Sequence, residues 1–567
     1  MNRRLWPTTL PWLAGFAGSL ALFGLGPRGL LGRLFAWIPG DQGDASLNNW
    51  ILERNLQLVL QCPEWWNINR FFTTNSFWPE SNTLAWSDNW ILLTPIYGLL
   101  RLISPPGQSF SLLIALCLTC NLAACHRLCR HATLRSGYRL IAACLSGFSL
   151  TILARLGHAQ LMPAFAGILA IDCLLASLER TEESSEISVN INRVSQGLLW
   201  LLLQIGLGFY QGLFFMLAYL CLFSTLILNR WIGTIKAVQL GRLEAGANKW
   251  ASLKLAGCTL LFGLDSLIYK QYYLFSREAG PRPWDEVASM IPKVWSYGFN
   301  TLSNVSTVSL PAPVQAINIE NYPGAFWEHS LFPGYAFTLI LGLGLLLAAK
   351  SWIRGQSLWP WRLSLLSQTC LLMVIVSLGF GGRHQLLSAW FFLYQWMPGF
   401  SALRAVSRIG LPLVLLIAPI LAWTLSQLHQ RLGRRQMSTC LAGLLVLYLA
   451  GNLITPGIPR FASRPYAKRF EKISKRVEQI TVGKDCNAFY ISAPSSSDQP
   501  TAIDLQLMAM WASLRTGKPT ASGYSGHTPN NGWTTHMSQG ELQAWLMNSG
   551  LDSAAIQQVC WIDGNAI

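Results

Sequence analysis

Apolar residues gather into runs near or above the ~18 residues that cross a bilayer as a helix. They fall at 9–27, 109–125, 140–156, 161–178, 196–209, 211–228, 254–270, 334–350, 363–380, 409–427 and 438–454. This pattern predicts an α-helical polytopic membrane protein of about 11 spans. The stretch 196–228 is too long for one crossing, and Gly206, Gly208 and Gly212 mark a tight turn that divides it. The opening segment, Met1 to Ile38, reads as the first span. It is too long for a secretory signal, has no clear small-residue cleavage site, and many spans follow. The segment 89–104 is apolar but short and ends at Pro105 and Pro106. We read it as a helix lying on the membrane surface.

Basic residues then fall on one side. The inner segments hold Arg3 and Arg4; Arg127, Arg130, Arg135 and Arg139; Arg230, Lys236, Arg242, Lys249 and Lys254; Lys350, Arg354 and Arg362; and Arg431, Arg434 and Arg435. The outer segments are longer yet poorer in Lys and Arg, as the positive-inside rule requires. The N-terminus is expected inside and the C-terminus outside the bacterial cytoplasmic (inner) membrane. Two large outer loops, about 28–108 and 271–333, and a moderate one at 381–408 predict chemistry on the outer face.

The apolar runs stop near Thr455. Residues 1–455 read as the transmembrane module and 456–567 as a small soluble α/β domain outside the membrane, long enough for its own core. Within it, 460–479 reads as a charged amphipathic helix, 486–492 as a strand and 503–515 as a helix. No internal repeat is evident, which weakens a transporter reading.

Composition supports the membrane assignment. Of 567 residues, 51% are hydrophobic and only 12% charged, against roughly 25% charged in soluble chains. The 25 tryptophans suit boundaries between water and hydrocarbon. This excludes a soluble enzyme, a disordered chain and a small disulfide scaffold. The net charge of +16 invites a nucleic-acid reading, but the basic residues sit at the ends of apolar runs and form no dense block. Cys117, Cys120, Cys125 and Cys129 lie in or just after an apolar run and read as small packing residues. Cys486 and Cys560 stand alone in the polar C-terminal part, where an outside location permits a disulfide.

Several polar groups interrupt the outer segments. Asp41 and Asp44 stand three apart on a Gly-rich turn, Gly40-Asp41-Gln42-Gly43-Asp44, just past the first span. Either carboxylate could act as a general base or take a divalent cation. The alternative is a solvated turn in which Asp44 caps a helix over 46–60, so Asp41 is slightly favoured. Asn48, Asn49 and Glu53 follow at helical spacing from Asp44 and could line the same site. Asp88 precedes the surface helix and could equally be its cap. His158 and Glu328 border spans and could bind or orient a substrate. Arg404 and Arg408 are four apart and would share a helix face, suited to phosphate; headgroup snorkelling is the alternative. Tyr524 lies in a small-residue loop that, with Asn531 and Trp533, could bind a sugar by stacking. Gly523-Tyr524-Ser525-Gly526 lacks the spacing of a hydrolase serine elbow.

The acidic turn after span one, Ser87-Asp88-Asn89, Pro398–Arg408 and Gly523-Tyr524-Ser525-Gly526 together resemble the GT-C superfamily of integral-membrane glycosyltransferases, most closely a bacterial, polyprenyl-phosphate-sugar-dependent type. The resemblance is architectural over most of the chain. It implies inverting transfer from a polyprenyl-phosphate-linked donor to a glycan or lipid acceptor. It also implies an acidic base in the first outer loop, where Asp41 and Asp44 both match. Arg404 and Arg408, with His158, would stabilise the leaving phosphate, and the second large loop would exclude water. No clear four-ligand set is present, so no metal is expected, with Mg²⁺ or Mn²⁺ as the alternative. Two other readings compete: a flippase or transporter for a lipid-linked glycan, with Asp265 as the best in-span group, and a non-catalytic envelope-assembly component.

Overall fold

The structure, a computed structural model, describes residues 6–25, 33–180, 186–235, 237–240, 248–302, 325–354, 359–380, 387–453, 458–494, 499–530 and 532–566. Arg3, Arg4, Lys236, Arg242, Thr455, Asn531 and the middle of the second large loop, 303–324, lie outside the described residues.

The chain is a multi-pass helical membrane protein. Among the described residues, seven helical stretches are long and apolar enough to cross a membrane: Pro106–His131, Ser136–Leu153, Ala159–Ser177, Phe209–Trp231, Ser252–Ala279, Tyr335–Ile353 and Val406–Gly451. Three shorter apolar helices, Thr9–Gly24, Ile91–Arg101 and Trp361–Ser377, accompany them. The run at 196–209 lies on the helix Ile191–Leu207, and the break before Phe209–Trp231 falls at Gly208, whose backbone is extended. The last two apolar runs share one long helix, Ala418–Leu453, broken at Gly433, where φ is +71°. An L-residue with a Cβ strains at that φ, so glycine permits the kink.

A buried carboxylate ties the bundle at the end away from the large loops. Asp172 accepts from Arg127 Nε at 2.8 Å, Arg130 Nη2 at 3.0 Å and His131 Nε2 at 3.0 Å. A buried charge is tolerated only when paired in this way. Beside it the strand Ile187–Val189 runs between Leu178–Arg180 and Val238–Leu240.

The first large loop and the C-terminal segment are sewn together at the other end. Strand Trp37–Pro39 pairs antiparallel with Arg460–Ala462, Ile38 opposite Phe461. Trp50 Nε1 donates to the Met510 carbonyl at 2.8 Å, and Thr520 N–H to the Asn75 carbonyl at 2.8 Å. The C-terminal segment has helices Ser463–Gly483 and Gln499–Thr516 and parallel strands Ala488–Ser492 and Val559–Asp563. Cys486 and Cys560 are disulfide-bonded beside these strands.

Candidate active site

The polar cluster forms where the first loop, the 154–160 turn, the second loop and the C-terminal segment meet. At Gly40 φ is +106°, and a Cβ would stand 2.7 Å from Gly157 Cα. Glycine lets these two turns touch, which brings the acidic turn against His158.

Asp41 and Asp44 have different jobs. Asp41 Oδ1 accepts the backbone N–H groups of Gly43 and Asp44, each at 2.8 Å. That turn launches the helix Asp44–Gln61, whose N-cap residue is Gly43 and which has no side-chain cap. Asp44 is thus not the cap expected of it; Asp41 instead holds the turn before the helix. The half-buried Asp44 carboxylate instead receives the Tyr524 hydroxyl at 2.8 Å, and His158 Nε2 lies 3.4 Å from its other oxygen. Burial, reinforced by Asp44, pushes the Tyr524 hydroxyl well above its ordinary value, so it stays a donor.

Glu328 is the buried anchor. It closes the short helix Ala325–Glu328 and is 4% exposed. Arg408 Nη2 donates to Oε1 at 2.7 Å, with Nε at 3.2 Å from the same oxygen. Arg155 Nη1 lies 3.2 Å from Oε2, and its Nη2 donates to the Glu328 carbonyl. Burial pushes Glu328 up, but Arg155, Arg408 and His158 outweigh it and hold the carboxyl well below the usual range. The Arg408 guanidinium also lies 4.8 Å over the Tyr210 ring.

His158 bridges the two acids, 3.4 Å from Asp44 and 3.8 Å from Glu328. Burial and the neighbouring Arg408 push it down to about 4. At neutral pH it is therefore an uncharged donor or acceptor.

Asp88 is not a helix cap either. Asn89 Oδ1 accepts the Ile91 N–H at 2.9 Å, while the Asp88 carboxylate bonds the Gln160 side chain and the Phe209 backbone. Burial raises it to about 6, with Arg408 opposing the shift and Asp44 adding to it.

Arg404 and Arg408 do not share a helix face. They lie on and beside two 3₁₀ turns, Phe400–Ala402 and Val406–Ile409, and diverge. Arg408 is buried on Glu328. Arg404, with a side chain 38% exposed, sits 3.6 Å from Glu286, and its charge acts on Tyr524. Snorkelling does not describe Arg408.

Of the three helix residues expected to line the site, Asn48 does so, donating to Gln160 Oε1 at 3.0 Å and accepting from Trp90 Nε1 at 2.8 Å. Glu53 and Asn49 turn away to Tyr97, and Glu53 pairs with Arg101. Trp533 is buried with its indole N–H on the Ala521 carbonyl, so it offers no free face for a sugar.

Arg155, Gln160, Tyr210 and Glu286 belong to the neighbourhood but carried no role in the sequence reading. Arg155 had a signal: a guanidinium at the end of an apolar run, on the face otherwise poor in basic residues. The other three had none.

The donors fit a cation poorly. Glu328 is already met by two guanidiniums, Asp41 is spent on backbone N–H groups, and Asp44 is engaged by Tyr524. Among the described residues no three His, Cys, Asp or Glu side chains gather as a metal set.

No protein-family model and no curated protein matches the chain. Among the solved structures similar to the chain are two of an archaeal oligosaccharyltransferase. One is the Archaeoglobus fulgidus oligosaccharyltransferase in its apo form, with a TM-score of 0.47 and 12% identity, covering 92% of this chain and 65% of that one. The other is the archaeal oligosaccharyltransferase AglB from Archaeoglobus fulgidus with an inhibitory peptide and a dolichol-phosphate, with a TM-score of 0.42 and 11% identity over the same shares. The chain thus spans about two-thirds of the length of these structures, 65% in each case.

Proposed function

We propose that the protein is a GT-C-type membrane glycosyltransferase, moving a sugar from a polyprenyl-phosphate-linked donor to a glycan or lipid acceptor on the outer face of a bacterial inner membrane. The observation that carries this reading is the convergence of Asp44, Asp88, His158, Glu328, Arg408 and Tyr524, drawn from separate parts of the chain, on one polar site. The Cys486–Cys560 bond supports an outside location, because disulfides persist in oxidising compartments.

In the proposed reaction Asp44 takes the proton from the acceptor hydroxyl, with Tyr524 and neutral His158 fixing the carboxylate. The acceptor oxygen forms a bond to the anomeric carbon from the face opposite the phosphate. The bond from that carbon to the phosphate oxygen breaks, and the electron pair leaves with the polyprenyl phosphate. The configuration inverts. Arg404, the more open of the two guanidiniums, meets the phosphate, and Arg408 backs it from within. Arg404 and Arg408 supply the positive charge, so the proposed reaction needs no divalent cation. Asp41 shapes the turn and does not take the proton.

The test uses purified full-length protein with a panel of polyprenyl phosphate sugars and candidate acceptors. Release of polyprenyl phosphate that Asp44→Asn abolishes and Asp41→Asn only reduces supports the reading. Full turnover in Asp44→Asn overturns it.

One observation favours the flippase reading. Asp265, buried within a spanning helix, has no hydrogen-bond partner for either carboxylate oxygen among the described residues. An intramembrane carboxylate is costly unless it serves a path. Lipid-linked glycan crossing vesicle membranes with no covalent product would select that reading.

A further inference from the structure

A cavity of about 610 Å³ lies behind the helix that begins at Asp44. Asn49 lines it and stands five residues after Asp44, about 140° around the helix. None of Asp41, Asp44, Asp88, His158, Glu328, Arg404, Arg408 and Tyr524 lines it. The helix therefore separates the cavity from the polar cluster.

The walls are apolar and aromatic: Trp37, Ile38, Pro106, Phe470 and Trp511. Pro106 is also the first residue of a membrane-crossing helix, so the cavity sits where that helix leaves the apolar layer. Arg33 and Arg464 add two exposed guanidiniums, and no Asp or Glu lines the space. Neither arginine has an ion-pair partner among the described residues. Apolar walls at the end of a spanning helix, with cations at the rim, complement a molecule with a hydrocarbon chain and an anionic head.

We propose that this cavity holds an anionic phospholipid, its phosphate on Arg33 and Arg464 and its chain along Trp37, Phe470 and Trp511. The occupant is neither reactant of the proposed transfer. The donor phosphate belongs with Arg404, across the Asp44 helix, and an acceptor hydroxyl must reach Asp44 on that same side. The lipid instead fills the seam at which Trp37–Pro39 pairs with Arg460–Ala462. That strand leads directly into Gly40 and Asp41, so the lipid steadies the turn that carries both acids. The site stands whether or not Asp44 transfers a sugar.

The test is tryptophan quenching in the full-length protein, reconstituted in phosphatidylcholine vesicles doped with brominated phosphatidylglycerol or brominated phosphatidylcholine. The signal from Trp37 and Trp511 is the difference from the Trp37→Phe/Trp511→Phe variant. We expect a preference of roughly tenfold for the anionic lipid. Arg33→Gln/Arg464→Gln should abolish that preference while thermal unfolding stays unchanged. Equal quenching by both lipids overturns the proposal, as does a preference that survives in the arginine variant. Displacement of the brominated phosphatidylglycerol by equimolar polyprenyl phosphate also overturns it, by making the cavity a donor site.

Discussion

The Tyr524 hydroxyl donates to Asp44 Oδ1 at 2.8 Å, across 480 positions of chain. One hydrogen bond thus joins the C-terminal segment to the first residue of the helix behind the first loop. Asp44 is held from one side by that hydroxyl and from the other by His158. A base fixed in this way presents its lone pairs in one direction. Asp44→Asn should lower turnover by about 10²–10⁴-fold, the range for removing a positioned base. Tyr524→Phe should cost roughly tenfold, because one neutral or charge-assisted bond is lost. Steady-state release of polyprenyl phosphate measures both, and the reverse order of effects would refute the roles assigned.

Glu328 and its two guanidiniums form a buried ionic unit. Glu328→Gln leaves the buried Arg155 and Arg408 without their counter-charge. Such a break costs about 3–5 kcal/mol. The thermal unfolding midpoint in detergent should fall markedly. An unchanged midpoint would mean that the arginines find other partners.

Asp88 makes stability depend on pH with a defined sign. Its carboxyl is raised to about 6 in the folded protein, chiefly by burial, from an ordinary value of 3.8. The folded state therefore holds the proton more tightly than the unfolded one. Stability from this group is greatest below about pH 4, falls as pH rises through 6, and is constant above. Asp88→Asn should stabilise the protein by roughly 3 kcal/mol at pH 7.5, with the difference vanishing at pH 4. Unfolding midpoints of both proteins across that range provide the check.

Two guanidiniums, rather than a divalent ion, supply the charge in the proposed transfer. Extensive chelation should leave the rate unchanged, and added Mg²⁺ or Mn²⁺ should not raise it. Arg404→Ala should weaken donor binding, seen as a raised KM for the lipid-linked sugar. A rate that collapses with chelator and returns with metal would contradict this.

The Cys486–Cys560 bond closes a loop of 74 residues. A constraint of that length is worth about 4 kcal/mol in chain entropy. Cys486→Ser/Cys560→Ser should lower the unfolding midpoint of the C-terminal segment and loosen Tyr524 from Asp44, so turnover should fall with it. Protease sensitivity of the segment, measured with and without reductant, tests the first part directly.

Much of the helical course was legible from the chain itself. Apolar runs must bury their backbone polar groups within the run, and only helices do so without a partner strand. Hence the expected runs coincide with helices, and the division of 196–228 falls at Gly208. The acidic turn, His158, Glu328 and the arginine pair also stood out, because a polar group beside an apolar run has few structural reasons to be there. Their partners did not. Which of Asp41 and Asp44 turns inward depends on two backbone N–H groups that only the folded turn presents. The divergence of Arg404 and Arg408 depends on Glu286 and Glu328 arriving from another loop. Periodicity acts between neighbours in sequence, so it reports helices. The site is made of contacts between segments hundreds of residues apart, and only their packing could decide them.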